Sequence, residues 1–231
     1  MSSATVLLVH GSFLSGWCWL PVVERLSRAG VRSRAIELPF TSLDDDVETV
    51  RSALDHLADE GPVVAVCHSY SGLALSAAGH RATELVHVAA RLPAPDEIPS
   101  AISADWNSPE FRACMRPSPD GLRLSDEAVP LLFHRSPPDL ALMAMERRRP
   151  LRSEIPDRPL PDPAWTRVPT TYVVCVDDRA VPVEQQRRRA GWVERSVEID
   201  CDHSPFFSAP DELTDVVLAA AERVAQVGAT R

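Results

Sequence analysis

Short, wholly apolar runs rich in β-branched residues alternate along this chain with longer stretches of helical periodicity. Thr5–Val9 (TVLLV) shows no polar alternation, the pattern of a strand covered on both faces, and it stops at His10-Gly11. Residues 19–29 then read as a helix closed by Gly30, and residues 31–38 as a strand stopped by Pro39. Over 44–60, Val47, Val50, Leu54 and Leu57 fall on one face, acids open the first turn and Gly61 follows, which predicts an amphipathic helix. Residues 63–66 are the next strand, and 70–78 a helix of small residues ended by Gly79. Further strands are expected at 84–89, 170–176 and Arg195–Ile199, with helices over 182–190 and 209–227. Buried strands alternating with helices predict an α/β fold built on a mostly parallel, doubly covered sheet.

The alternation stops between 93 and 163. Most of the prolines collect there, interleaved with Trp106, Phe111, Met115, Leu131, Leu132, Phe133, Met143 and Met145. That apolar content is too high for a disordered proline-rich linker and predicts an insertion with its own short helices. Placed between two core strands, it would cap the end of the sheet. The chain thus divides into a core of 1–92 and 164–231 and a helical cap of 93–163, which suits 231 residues better than two independent domains.

The net charge of −9 argues against a polyanionic partner such as nucleic acid. The runs Arg147-Arg148-Arg149 and Arg187-Arg188-Arg189 read as solvated helix faces or ends. The chain has no lysine, which excludes Schiff-base chemistry. Five widely spaced cysteines, at 18, 67, 114, 175 and 201, form no C-x-x-C pair and suit neither a disulfide framework nor a zinc site. The N-terminal apolar run is too short for a signal peptide or a membrane span, so a soluble, cytoplasmic protein is expected.

One strand runs straight into chemistry: Val63-Val64-Ala65-Val66-Cys67-His68-Ser69-Tyr70-Ser71-Gly72 carries a serine between a strand and a helix. It is similar to the nucleophile elbow of α/β-hydrolases, with Cys67 and Ser71 where glycine is usual. A serine hydroxyl needs a base to take its proton and a third group to orient that base. The chain order in that fold is serine, acid, histidine, and His203 alone of the seven histidines follows the last core strand. The acid belongs just past the 170–176 strand. Asp178 is preferred for its offset from Pro182, with Asp177 as fallback and Asp96 or Glu97 as a further alternative. Oxyanion donors are expected from the backbone N–H groups of Tyr70 and of Ser12, with Phe13 as the alternative to Ser12, beside a turn that Gly11 permits. His68 is expected to pack beside the elbow. His56, His80, His87 and His134 show no ligand spacing, so no metal site is expected.

Three more segments carry a resemblance. His10-Gly11-Ser12-Phe13-Leu14-Ser15-Gly16-Trp17-Cys18-Trp19 resembles the H-G-x-x-H-G-x-W-x-W signature of the α/β-hydrolase subfamily of plant methylesterases, hydroxynitrile lyases and bacterial esterase-like proteins, with Leu14 and Ser15 departing from it. Asp178-Arg179-Ala180-Val181-Pro182 with Gln185 or Gln186 is similar to its D-x-A-I-P segment and downstream glutamine. His203-Ser204-Pro205-Phe206-Phe207-Ser208-Ala209-Pro210 is similar to its H-x-P-M-L-S-x-P ending. The resemblance implies a triad of Ser69, Asp178 and His203, no metal or organic cofactor, and hydrolysis of esters of small acids beneath a mobile cap. The lyases carry a lysine beside the histidine and lack the first-loop glycine, whereas this chain has Ser204 and Gly11, which disfavours cyanohydrin cleavage.

The expectation is therefore a serine hydrolase acting on a small carboxylic ester, thioester or lactone. Apolar cap residues imply a largely apolar small molecule, with Phe13, Trp106 and Phe133 as candidate pocket residues. A tailoring enzyme using the same groups for proton transfer, cyclisation, elimination or C–C cleavage is the alternative, and a non-catalytic ligand-binding protein the third reading. Homodimers occur among such relatives, and no sequence feature fixes an interface here.

Overall fold

The computed structural model describes residues 4–152 and 154–229. Eight strands form among the described residues: β1 (Thr5–Val9), β2 (Arg32–Ile36), β3 (Val63–His68), β4 (Glu84–Val88), β5 (Met115–Ser118), β6 (Gly121–Leu124), β7 (Thr170–Cys175) and β8 (Arg195–Ile199). Six make one parallel sheet in the order β2-β1-β3-β4-β7-β8. The four inner strands are buried at every position, which is why they show no polar alternation, although β4 carries the buried Glu84 and His87. The edge strands β2 (RSRAI) and β8 (RSVEI) are partly exposed and carry charge, which blunts the edges against further pairing.

Helices α1 (Leu20–Arg28), α2 (Leu43–Glu60) and α3 (Gly72–Ala78) link the first four strands. Between β4 and β7 lie α4 (Pro99–Trp106), α5 (Pro109–Ala113), α6 (Val129–Leu132) and α7 (Pro138–Glu146). The chain ends with α8 (Val183–Ala190), α9 (Pro205–Ser208) and α10 (Pro210–Ala229). α1 packs on α10, which crosses the sheet over β1, β3, β4 and β8, while α2 and α3 pack on each other. Ser42 caps α2 by accepting from the Asp45 N–H at 3.1 Å, ahead of three aspartates that suit the positive end of the helix. Gly72 at the start of α3 meets the chain leaving β4 so closely that an added Cβ would lie 2.0 Å from the Arg91 carbonyl oxygen.

Two expectations needed adjusting. Helices expected to open at 19 and 70 begin instead as tight 3-10 turns, Gly16–Trp19 after the loop that leaves β1 and Ser69–Ser71 directly on the end of β3. The insertion holds helices, as expected, but also an antiparallel hairpin pairing Met115 with Leu124 and Ser118 with Gly121. Its strands are four residues long and largely exposed, one contains Pro117, and Gly121 turns at φ +115°, so no period-2 apolar pattern announces it. The insertion is fastened to the core loops: the Arg149 N–H donates to the Phe13 carbonyl at 2.8 Å, and the Arg152 N–H to that of Phe40 at 3.0 Å.

His87 lies fully buried on β4, and neither ring nitrogen meets a hydrogen-bond partner among the described residues. Burial pushes its pKa from 6.5 down to about 3. Below pH 6.5 the unfolded chain takes up a proton that the folded chain refuses, so this contribution to stability is whole above pH 6.5 and drains away as the pH falls toward 3. His87→Leu should flatten the loss of unfolding free energy between about pH 6 and 4 by about 1.4 kcal/mol per pH unit, measured by urea titration; an unchanged slope contradicts the neutral imidazole.

Candidate active site

β3 delivers Ser69 into a left-handed backbone at φ +54°, a conformation a non-glycine residue adopts only where its surroundings hold it there. The turn then continues into α3, leaving the serine side chain at the sheet's end, 9% exposed. Ser71, where glycine is usual, takes part in holding that turn. Its hydroxyl oxygen accepts from the His68 N–H at 3.1 Å and lies 3.1 Å from the Val9 carbonyl of β1 and 2.9 Å from that of His68. Cys67 is buried in β3, and burial pushes its thiol well above the ordinary range, so it stays protonated.

The loop after β7 carries two aspartates with different surroundings. The Asp178 side chain is wholly buried; its Oδ1 accepts from the N–H groups of Ala180 and Val181, both at 2.8 Å, and its Oδ2 from Gln186 Nε2 at 2.8 Å. The same Oδ2 lies 2.6 Å from His203 Nδ1. His203 sits in the loop between β8 and α9, with Nε2 3.1 Å from Ser69 Oγ. An N–H on Nδ1 facing the carboxylate leaves the Nε2 lone pair for the serine proton. Asp177 points elsewhere, toward His134 Nε2 at 3.0 Å and Arg135 Nη1 at 3.6 Å. Glu97 is ion-paired with Arg189, and Asp96 is exposed.

Supporting groups surround this relay. His68 Nε2–H donates to the His203 carbonyl at 2.8 Å, and its ring packs edge-on against Phe206. Burial, with the nearby His203 adding to it, pushes His68 well below the ordinary histidine pKa, so it serves as a neutral prop. Gly11 makes room for it, since a Cβ there would lie 2.6 Å from His68 Nδ1. Asp202 is buried beside the base: Oδ1 accepts from the Ser204 N–H at 2.9 Å and the Ser208 hydroxyl at 2.7 Å, while Oδ2 accepts from the Arg135 N–H at 2.9 Å and the Ser136 hydroxyl at 3.0 Å. Asp46 is buried as well, accepting from the Phe40 N–H at 2.9 Å and the Tyr70 hydroxyl at 2.7 Å. Sequence patterns gave no sign of Asp46 or Asp202, whereas Gln186 was one of the two glutamines the resemblance offered.

Ser69 opens on two connected spaces, both bordered by Ser12 and Phe13. The inner one, about 10 Å³, lies beside His203 and is walled by Leu124, Leu132, Phe133 and Met145. An outer cavity of about 680 Å³ extends from Ser69 and Tyr70 past Phe111, Leu122 and Ile155, and its wall includes Arg91. Phe13 and Phe133 therefore face the site, but Trp106 lines neither space. It is 1% exposed, packed with the Arg91 and Arg189 guanidinium groups 5.7 and 5.9 Å from its ring, because the end of α4 folds inward against the core. A larger groove of about 1110 Å³, between β2 and α2, contains none of these residues.

Residues 6–216 match the model of the alpha/beta hydrolase family. The chain belongs to that family. Among curated relatives, Methylesterase 1 of Arabidopsis thaliana is 27% identical over 94% of this chain and 95% of its own length. Among solved structures, a pyrethroid hydrolase from Sphingobium faniae superposes with a TM-score of 0.78 at 21% identity, covering 97% of this chain and all of its own. Tomato methylketone synthase I does so at 0.81 and 19%, covering 97% and 100%. The matches make this α/β-hydrolase an esterase-type enzyme.

Within this hydrolase the two neighbouring aspartates are separable by experiment. Asp178→Asn replaces the carboxylate facing His203 Nδ1 with a neutral amide and should lower kcat on an ester by about 10⁴-fold. Asp177→Asn loses a half-exposed contact to His134 and should cost less than about tenfold. Steady-state kinetics of the two variants check this, and the reverse order would overturn the assignment of Asp178.

Proposed function

We propose that this hydrolase cleaves the ester of a small alcohol and a larger carboxylic acid through an acyl-enzyme on Ser69. The observation that carries the reading is the continuous contact from Ser69 Oγ through His203 to a buried Asp178. In the first half-reaction Ser69 Oγ adds to the ester carbonyl carbon as His203 Nε2 takes its proton. The tetrahedral adduct expels the alcohol oxygen, which leaves with that proton. Water then adds to the acyl-serine with His203 again as base. Collapse returns the proton to Ser69 Oγ and frees the acid, so ester and water become acid and alcohol.

The backbone N–H groups of Ser12 and Tyr70, which border the space in front of Ser69, are the donors for the oxyanion. Segment 93–163 acts as the cap. The leaving alcohol must lie on the His203 side to collect its proton. His203 faces the small inner cavity, whose walls leave room only for a small group, while the outer cavity takes the acyl part. The names of the methylesterase relatives support the same division.

A fluorophosphonate probe should label the protein once, at Ser69, by intact-mass and peptide mass spectrometry, and Ser69→Ala should take no label. The same substitution should lower kcat on methyl hexanoate by at least about 10³-fold, and methyl hexanoate should be cleaved faster than butyl hexanoate. Full turnover by Ser69→Ala would sink the covalent mechanism.

A further inference from the structure

Two spaces meet at the nucleophile, and one residue of the insertion stands at their junction. Ser12, Phe13, Ser69 and Phe111 border both the inner and the outer cavity. The first three belong to the core. Phe111, on α5, alone does so from the insertion among the described residues. Its side chain is located by contact with the base: the Phe111 and His203 rings lie 6.4 Å apart, centre to centre, tilted by 43°, and Phe111 is buried. His203 itself borders the inner cavity. The Phe111 ring therefore flanks the imidazole where one space gives way to the other.

The same loop that carries Asp178 fixes where α5 begins. The Ser108 N–H donates to the Ala180 carbonyl at 2.8 Å, and the Ser108 hydroxyl donates to the Arg179 carbonyl at 2.9 Å while its oxygen accepts from the Phe111 N–H at 3.1 Å. The Ala180 N–H donates in turn to Asp178 Oδ1 at 2.8 Å, and Asp178 Oδ2 lies 2.6 Å from His203 Nδ1. These contacts close a circuit that runs from His203 through Asp178, Ala180 and Ser108 to Phe111 and back to the His203 ring. An aromatic ring held in this way has few rotamers to choose among, so it keeps its place beside the imidazole.

We propose that Phe111 is the specificity-determining residue for the alcohol: its ring partitions the two cavities and confines the leaving group to the inner one, so that esters of small alcohols are selected. The inference rests on the hydrolase reading, which puts the alcohol on the His203 side and the acyl chain in the outer cavity. A longer alcohol has to displace a packed ring, and overpacking of that kind costs more than burial of the added methylenes gains. Truncating the ring joins the two spaces and lets the longer alcohol run into the outer one.

The test compares methyl hexanoate with butyl hexanoate, following hexanoic acid release by the wild-type protein, Phe111→Ala and Phe111→Leu. The wild type should favour the methyl ester by at least about tenfold in kcat/KM, and Phe111→Ala should bring the two esters to within about twofold of each other. Phe111→Leu, which removes less of the core and keeps the fold where the alanine variant does not, should lower the preference at least about threefold. A role confined to supporting His203 would slow both esters together, so a preference undiminished in the folded variants, or equal kcat/KM values in the wild type, would overturn the partition. Ligand-observed NMR titration of Ser69→Ala separates this from failure of the hydrolase reading, since it needs no turnover. Tighter binding of the methyl than of the butyl ester, lost in Ser69→Ala/Phe111→Leu, supports the partition even if Ser69 takes no fluorophosphonate, and equal binding of the two esters by Ser69→Ala refutes it.

Discussion

A left-handed serine at the end of a buried parallel strand is the constraint around which this molecule is organised. The φ of +54° at Ser69 costs on the order of 1–3 kcal/mol, and it persists because the neighbouring backbone leaves no room to relax. The Ser69 carbonyl is held by the Arg91 N–H, Gly72 is pressed against the Arg91 carbonyl, and the Ser71 hydroxyl joins the turn to β1. The glycines usual at positions 67 and 71 allow space; here a buried thiol and a hydrogen-bonding hydroxyl fill it. Relaxing the serine would require separating β1, β3 and the chain after β4, the centre of the sheet.

Three buried aspartates carry that order outward. Asp46 ties the elbow's Tyr70 to the loop after β2, Asp178 contacts His203 Nδ1, and Asp202 joins the His203 loop to the insertion. Asp178 and Asp202 are satisfied by backbone N–H groups, hydroxyls, an amide and an imidazole rather than by an arginine. A carboxylate held this way is fixed in direction, because N–H donors on a folded loop converge from set positions. It also leaves Asp178 Oδ2 directed at His203 Nδ1.

Much of this was legible in the sequence because buried parallel strands write their burial as uninterrupted apolar letters, and because the motif residues follow those strands in a fixed order. The parallel sheet, the serine and its histidine were readable for that reason. Other features depend on tertiary packing, which no local pattern records. Asp46 is the third acid of Asp44-Asp45-Asp46 and looks like a helix-opening charge; only the approach of Tyr70 and Phe40 makes it an internal strut. Trp106 belongs to an apolar cap in sequence, yet its ring ends between two arginines away from the cavities. The choice between Gln185 and Gln186 waits on the phase of α8, which turns Gln186 toward Cys175 and Asp178. Arg91 is buried in part by Trp106 of the insertion, a contact 15 residues along the chain that no strand pattern records.

The order of the strands has a consequence for the chemistry of unfinished chains. Ser69 and His203 are 134 residues apart, and His203 follows β8, which pairs on the far edge of the sheet, across β4 and β7. Bringing such distant segments together is the slow, entropically costly part of forming a fold of this kind. Until it is complete Ser69 lacks the His203 contact of the folded chain. On the proposed mechanism, reactivity of this one side chain toward an electrophile reports, molecule by molecule, whether the last strand has docked.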